Sequence, residues 1–330
     1  MLEQAGARRA PSLHALAAAL LPFCASAAHA DPALRLVGVA PITAAPALTD
    51  REPERSIIGG ISGLAFDPST DTWLAVSDAD ASRARQLRLT ATDAGATAEI
   101  VALEPIAAHA ANNAEAIARA FDGSWLIAHE SPASVFRFDR DLAAAHELAG
   151  ARAAAEGLAT NRTWEALTVL LTEPPTVLLI SEFGPAATPV DPTSVRRSRA
   201  VLLNLDTGAE LARGEYAITP PPGLGGAGVT EIAALDASRF LALERRVTPR
   251  GYGAALFLVE VTRAGAALSF TKTPLGSLRT LGVANPGNAE AMALGPPAAD
   301  GSRRVVIMND DNLGRDGQRG TRTIVLQLDP

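Results

Sequence analysis

The sequence contains very little cysteine and few aromatic residues, and each shortage argues against certain structures or functions. Its one cysteine, Cys24, lies near the N-terminus, so no internal disulfide is possible and a hydrophobic core must stabilise the fold. Aromatic residues make up 4% of the chain, which leaves few stacking surfaces for sugar rings. The net charge of −7 at pH 7 argues against nucleic acid and anionic membrane surfaces as partners.

Several common functional signatures are also missing. The sequence has no P-loop, no dinucleotide-binding fingerprint and no HExxH zinc motif, and each of these motifs has a defined chemical role. After residue 30 there is no long amphipathic helix, charge run or low-complexity linker. These absences predict one domain over residues 31–330 without membrane insertion.

The first thirty residues are typical of a secretory signal peptide. Arg8 and Arg9 supply the positive start, Leu13 to Phe23 is apolar, and Ala28-His29-Ala30 is a small-x-small cleavage site. The apolar run is too short for a membrane span. We therefore expect residues 1–30 to be removed and the mature protein to be periplasmic or secreted.

A hairpin pattern over residues 113–130 organises the mature chain. Glu115 opens a predicted strand, Phe121-Asp122-Gly123 forms a turn, and a second strand ends at Glu130. A short Asp-Gly turn between apolar runs is a strong hairpin signal. Antiparallel pairing places Glu115 and Glu130 at the same end of the hairpin.

This hairpin pattern occurs five times, and NAEA appears twice, at 113–116 and 288–291. The repeats cover residues 60–78, 113–130, 161–182, 229–244 and 288–310. Their first strands open at Ser62, Glu115, Glu165, Glu231 and Glu290, and their second strands end at Asp78, Glu130, Glu182, Glu244 and Asp310. In this alignment the second strand of repeat four is one residue shorter than the others. Repeats of this length indicate a propeller or a similar array.

One or two further strand-like runs follow each hairpin, and residues 34–42 supply a strand that the last repeat lacks. The sequence thus predicts an all-β propeller of five four-stranded blades, closed by the mature N-terminal strand. A six-bladed propeller is the alternative, with its extra hairpin in 182–231 or 244–290.

The first strand of each propeller blade lines the central channel, so the repeated acids should meet at one mouth. These are Asp78, Glu115, Glu130, Glu165, Glu182, Glu231, Glu244, Glu290 and Asp310. Oxygen ligands in excess favour a hard cation, and export makes Ca²⁺ the leading candidate. Alternatively, the acids accept backbone N–H groups of neighbouring blades and are structural.

Basic residues follow several of these acids in sequence. Arg162 and Arg245 are candidates for binding an anionic substrate, although they and Arg83, Arg85 and Arg246 could equally pair with the acids. His129, beside Glu130, is a candidate general acid or base.

The repeats resemble the phytase-like family, described as the esterase-like activity of phytase. The similarity lies in GGISGLAFDP at 59–68, NAEAIA at 113–118, NRTWEALT at 161–168, VTEIAALDASRFLALERR at 229–246 and NAEAMALGP at 288–296. The resemblance implies an exported, acid-rich propeller that hydrolyses phosphoesters. The glycine that usually follows the first-strand glutamate in this family is replaced by Ala116, Ala166, Ile232 and Ala291.

Together these observations predict an exported, monomeric, calcium-dependent phosphoester hydrolase with a small anionic substrate. Glu130, Glu182 and His129 are the expected catalytic residues. Two alternatives stay open: a non-catalytic binding or assembly propeller, and a glycoside hydrolase, which needs two carboxylates across a cleft.

Overall fold

The structure, a computed structural model, describes residues 32–92, 95–107, 113–159, 162–183, 195–219, 226–248, 251–311 and 320–330. Residues 32–330 form one compact unit. The predicted signal peptide lies outside the described residues. Among the described residues, no helix is long and apolar enough to cross a membrane.

The described strands form two eight-stranded sheets and one four-stranded sheet. Each eight-stranded sheet consists of two antiparallel groups of four strands that meet at a parallel pair, and we call the resulting groups of four units one to five. Unit one consists of β2 (Ile61–Asp67), β3 (Thr72–Ser77), β4 (Arg83–Thr92) and β5 (Gly95–Pro105). Unit two consists of β6 (Ala114–Arg119), β7 (Trp125–His129), β8 (Ser134–Phe138) and β9 (Ala145–Glu147). Unit three consists of β10 (Trp164–Leu170), β11 (Thr176–Ser181), β12 (Arg197–Asn204) and β13 (Glu210–Ala217). Unit four consists of β14 (Gly226–Ala234), β15 (Arg239–Thr248), β16 (Gly251–Ala264) and β17 (Ala267–Ser277). Unit five consists of β18 (Asn288–Pro297), β19 (Arg303–Asp310), β20 (Arg322–Leu328) and β1 (Leu34–Ala44).

Three short helices lie between strands of this compact unit in its described part. They are α1 (Pro46–Thr49), α2 (Glu54–Ile58) and α3 (Ala149–Ala154). The third buries Ala151 and Ala154 against units two and three, so small side chains allow it to pack closely.

The first strands of the units contact one another in a closed cycle: β2, β6, β10, β14, β18 and again β2. The N-terminal strand β1 pairs antiparallel with β20 and completes unit five, which is the pairing predicted from the sequence. Antiparallel four-stranded units with their first strands at the centre are the architecture of a β-propeller.

The core lies between neighbouring units rather than within a single layer. Five buried apolar clusters among the described residues join units one and two, two and three, three and four, four and five, and five and one. Because both faces of the inner strands pack against a neighbour, their sequences are continuous apolar runs instead of alternating ones.

Four of the hairpins between first and second strands use the same turn chemistry. In each, an aspartate Oδ1 accepts the backbone N–H two residues later, and the pairs are Asp67 with Ser69, Asp122 with Ser124, Asp236 with Ser238, and Asp300 with Ser302. Aspartate favours such turns because its short side chain can bond its own backbone. In unit two the turn also uses Gly123, whose φ is +85°.

Candidate functional site

Each first strand carries an extra, unpaired residue near its start. In unit two, Ala114 pairs with His129 and Ala116 pairs with Ala128, so Glu115 is left over. The same irregularity leaves over Ser62, Glu165, Thr230 and Glu290 in the other units. Such β-bulges redirect a side chain and are frequent at functional sites.

The bulge in unit four falls on Thr230, not on Glu231 as the sequence alignment assumed. Val229 pairs with Glu244 and Glu231 pairs with Leu243, whereas in unit two Ala114 pairs with His129. Glu244 therefore occupies the position of His129, and Arg245 occupies the position of Glu130. The second strand of repeat four is not shorter, and the predicted alignment of this repeat is wrong by one residue.

Seven of the predicted acids lie close enough to influence one another electrostatically, and we call them, together with Arg245, the mouth cluster. Six of these carboxylates raise the pKa of at least one neighbour in the group, and three of the six raise the pKa of the seventh, Glu165. The seven are Asp78, Glu115, Glu130, Glu165, Glu182, Glu290 and Asp310. The first and second strands thus bring these acids to one end of the channel, as predicted.

Arg245 is a cation within this acidic group. Its guanidinium donates to Glu290, to Glu182 Oε1 at 2.5 Å and to Asn288 Oδ1 at 3.0 Å, and its side chain is 17% exposed. These carboxylates raise the pKa of Arg245, although burial alone would lower it. Unit four therefore contributes a positive charge where the other four units contribute an acid.

The asparagines of the two NAEA segments hold carboxylates in place. Asn113 Nδ2 donates to Glu130 Oε2 at 2.8 Å, and Asn288 Nδ2 donates to Glu290 Oε1 at 2.6 Å. The sequence patterns alone predicted no role for these asparagines. Their signal was present, because the tetrapeptide repeats verbatim and each asparagine precedes a glutamate by two residues.

Glu115 and Glu165 are buried without hydrogen bonds to their carboxylates from the described residues. Burial, then the charge of Glu290, raises the pKa of Glu115 well above its usual range. Burial, then the charge of Glu115, does the same to the pKa of Glu165. Both residues contact mainly like charges, so their ionised forms are costly unless a cation is near.

Burial also raises the pKa of Glu130, Glu182 and Glu290. For Glu290 the pKa reaches about 8: burial has the largest effect, Arg245 opposes it, and Asp310 and Asp78 add to it. At pH 7 this carboxyl is therefore mostly protonated and can donate a proton.

Glu231 and Glu244 lie apart from the mouth cluster. Glu231 is 1% exposed, and its Oε1 accepts the backbone N–H groups of Leu167 and Ile232. Glu244 is fully buried and accepts from Lys272 and from Tyr216 Oη at 3.0 Å. These contacts are the structural role that the sequence analysis left open for the repeated acids.

The predicted arginines divide into two groups. Arg83 pairs with Glu52 and Asp80, and Arg85 is buried, donating to the carbonyl of Ile57 at 2.8 Å. Arg162 lies over the Phe183 ring at 4.9 Å and Arg196 at 5.4 Å from the same ring.

Burial raises the pKa of Glu182, and the positive charge of Arg245 lowers it. The charges of Arg162 and Arg196 also lower this pKa, by smaller amounts. Arg196 was not predicted from the sequence, because it is distant in sequence from every repeated acid. These two arginines lie at the edge of the mouth cluster, where an anion from solvent could reach exposed Arg162.

His129 ends β7 but its imidazole is 1% exposed. The ring packs edge-on against Phe136, with centroids 5.7 Å apart. Direct contact between this imidazole and a substrate in the channel is therefore disfavoured.

The chemistry of the donors fits a hard cation, because the mouth cluster offers carboxylate oxygens and two of its acids accept no hydrogen bond from the described part of the chain. Its present spacing does not fit: no three His, Cys, Asp or Glu side chains among the described residues converge on a metal position. An ion at the mouth would require carboxylates to move toward it.

Several solved structures are distantly similar to this chain. An aldose sugar dehydrogenase from Streptomyces coelicolor with bound PQQ is 12% identical, with 91% of this chain and 99% of that chain covered and a TM-score of 0.47. The allergen Mala s 1 of Malassezia sympodialis is 12% identical, with 82% and 78% covered and a TM-score of 0.42. The calcium-binding protein regucalcin of Agrobacterium tumefaciens is 12% identical, with 83% and 92% covered and a TM-score of 0.35. At these TM-scores the similarities do not bear on function.

No curated protein sequence matches the chain at a significant level. A family model does match: the phytase-like model, described as the esterase-like activity of phytase, covers residues 56–313. This range includes all five bulges, the whole mouth cluster and the asparagines that hold it. The chain therefore belongs to the phytase-like family.

Proposed function

We propose that this protein is a five-bladed propeller that hydrolyses phosphoesters at the mouth cluster. The observation that carries the proposal is the group of carboxyl side chains around Arg245 at one end of the channel, where its guanidinium binds Glu182 and Glu290. Burial raises the pKa of several of these acids. Membership of a family described by esterase-like activity supports the same reaction class.

The residues of the cluster divide the proton transfers between them. Glu130, bonded by Asn113, is the base that takes a proton from the attacking water, since its raised pKa makes it a stronger acceptor. Glu290, protonated near neutrality, gives a proton to the departing alkoxide. Glu182 orients Arg245 through their 2.5 Å bond, and Arg162 with Arg196 holds the phosphoryl oxygens.

An anionic substrate approaching seven carboxylates needs compensating positive charge. Arg245 already binds Glu182 and Glu290, so it neutralises only one side of the cluster. We propose that Ca²⁺ supplies the rest, drawing in the carboxylates of Glu115 and Glu165, which accept no hydrogen bond from the described residues. When bound, such an ion would polarise a phosphoryl oxygen and offset charge.

We further propose that the protein acts outside the cytoplasm as a monomer. The signal-like sequence of residues 1–30 supports export. Measuring how much of the protein is found in the membrane fraction and in the periplasmic fraction tests this. Recovery of the uncleaved chain from the cytoplasm would contradict export.

The activity test uses substrates that all release p-nitrophenol. The mature protein is incubated with p-nitrophenyl phosphate, bis(p-nitrophenyl) phosphate, p-nitrophenyl acetate and p-nitrophenyl glycosides, each with EDTA and with added calcium. We expect hydrolysis of a phosphate ester with calcium and its loss in Glu130→Gln and Glu182→Gln. Glu231→Gln is the control, because Glu231 lies apart from the cluster.

Each other outcome selects an alternative. Full activity of both Glu130→Gln and Glu182→Gln would remove the assignment of these residues. Turnover of the glycosides alone would favour a glycoside hydrolase, and no turnover of any ester would favour a binding propeller whose arginine and carboxylates are structural.

A further inference from the structure

We propose a second ligand site at the end of the channel opposite the mouth cluster, which binds a small amphiphile with an apolar chain and an anionic head group. The site is a cavity of about 530 Å³ lined by the first strands of all five units. This volume is within the range of pockets that hold small molecules. The proposal does not depend on the proposed hydrolase activity.

The walls of this cavity come from successive residues of the first strands, and the residues between the two layers described next are small: Ala65, Ala118, Thr168, Ala233 and Ala293. Two residues after each bulge, every unit presents an apolar side chain to it: Leu64, Ile117, Leu167, Ile232 and Met292. Four residues after each bulge the cavity is lined by Phe66, Arg119, Val169, Ala234 and Leu294. The two layers together make an apolar tube with one charged member.

The tube is a separate site, because the strand rises about 3.3 Å per residue. The second layer therefore lies roughly 13 Å from the bulges of the mouth cluster. Phe121 and Leu171 stand at the opening of the tube, and they are 62% and 45% exposed. Exposed large apolar groups that continue an apolar cavity mark a ligand-binding opening.

Three arginines surround this opening. Arg119 is paired with Asp67 at 2.5 Å and lies over the Trp125 ring. Arg140 and Arg303 line the cavity as well, and no carboxylate among the described residues pairs with either. Arg140 and Arg119 lie side by side at Gly123, since a Cβ there would be 2.8 Å from one guanidinium and 3.2 Å from the other.

An apolar tube whose rim carries two arginines without a carboxylate partner among the described residues selects an amphiphile with an anionic head group. The chain of the ligand gains by leaving water, and its anionic head gains charge-assisted hydrogen bonds to Arg140 and Arg303. A carboxylate head and a phosphate head satisfy the same arginines, so the shared chemistry is an anionic head on an alkyl chain.

The test compares three ten-carbon probes below their micellar concentrations by calorimetry: decanoate, decanol and decyltrimethylammonium, with decyl phosphate as the alternative anion. We expect the anions to bind most tightly, with affinity rising up to about fourfold per methylene from octanoate to decanoate. Equal affinity for the three head groups, or no binding of decanoate, would overturn the proposal.

Variants at the exposed rim locate the site without disturbing the fold. Arg140→Gln and Arg303→Gln should each weaken decanoate by about tenfold and leave decanol unchanged, while Arg197→Gln, at a solvent-exposed ion pair elsewhere, should change nothing. Leu171→Glu should weaken decanoate and strengthen decyltrimethylammonium. Unchanged decanoate affinity in all three rim variants would place the binding elsewhere and refute the site.

Discussion

Units two and four occupy equivalent places in the ring but carry opposite charge at the mouth. Unit two presents Glu115 at its bulge and Glu130 at the end of its second strand. Unit four presents Thr230 and Arg245 at the same positions. The units are therefore not interchangeable, because unit four supplies a cation that pairs with acids of units three and five.

The position after the bulge differs as strongly. Gly63 lies there in unit one, and a Cβ on it would be 2.8 Å from Ala116 Cα, so the first strands of units one and two approach closely. Glu231 lies there in unit four, and its carboxylate accepts two backbone N–H groups instead. Close backbone packing and a buried carboxylate are thus two solutions to the same position.

We expect the largest effect from removing Arg245, the cation of unit four. Arg245→Met leaves Glu182 and Glu290 buried without their shared cation, and we expect a loss of about 3–5 kcal/mol in the free energy of unfolding. Urea unfolding at pH 8 measures it. Adding Glu182→Gln to this variant should recover part of the loss, because it removes a buried carboxylate that Arg245 paired.

Arg83→Met is the matched control for Arg245→Met. Arg83 also pairs with two carboxylates, but its side chain is 32% exposed, so we expect a loss below about 1 kcal/mol. Equal losses in Arg245→Met and Arg83→Met would show that the mouth cluster does not depend on Arg245.

Gly63→Ala tests the close approach of units one and two. The added Cβ would force the strands apart, and overpacking of this kind costs roughly 1–3 kcal/mol. Gly253→Ala is the control, since a Cβ there meets no atom within 4 Å. Thermal or urea unfolding of both variants gives the difference, and equal stability would contradict the close packing.

The pH dependence of stability reports the unneutralised acids. A carboxyl whose pKa is raised in the folded state binds protons more readily there than in the unfolded chain, so folding is favoured at low pH and loses that advantage as pH rises. For Glu290 the loss extends from its unfolded pKa up to about 8. With EDTA present, the melting temperature should therefore fall between pH 5 and pH 8.5.

Calcium should reduce this fall if it binds the mouth cluster, because a ligand bound only by the folded state raises the melting temperature. Arg245→Met should steepen the fall, since Arg245 lowers the pKa of Glu290. A melting temperature that rises from pH 5 to pH 8.5 in EDTA would contradict the raised pKa values.

Glu231→Gln should have the smallest effect. Burial raises the pKa of Glu231 well above its usual range, which favours the neutral carboxyl, and an amide of the same shape keeps its acceptor oxygen for Leu167 and Ile232. We expect a change within about 0.5 kcal/mol and unaltered calcium affinity. A large loss of calcium affinity would return Glu231 to the mouth.

The sequence by itself determined much of this molecule. The spacing of NAEA and of the apolar hairpins specified five repeats, and the missing strand of the last repeat specified its partner, β1, which pairs with β20. The acids of units one, two, three and five were also identified correctly as neighbours, because their strands align by simple apolar pattern with one acid at each end.

Only the tertiary structure decided which residues of unit four face the mouth. Aligning acid with acid placed Glu231 and Glu244 there, whereas the bulge at Thr230 moves both by one residue and brings in Arg245. A strand has a period of two, so a slip of one residue turns every side chain to the opposite face. The position of a bulge depends on which residues pair across the two strands, and the sequence pattern alone does not show that pairing.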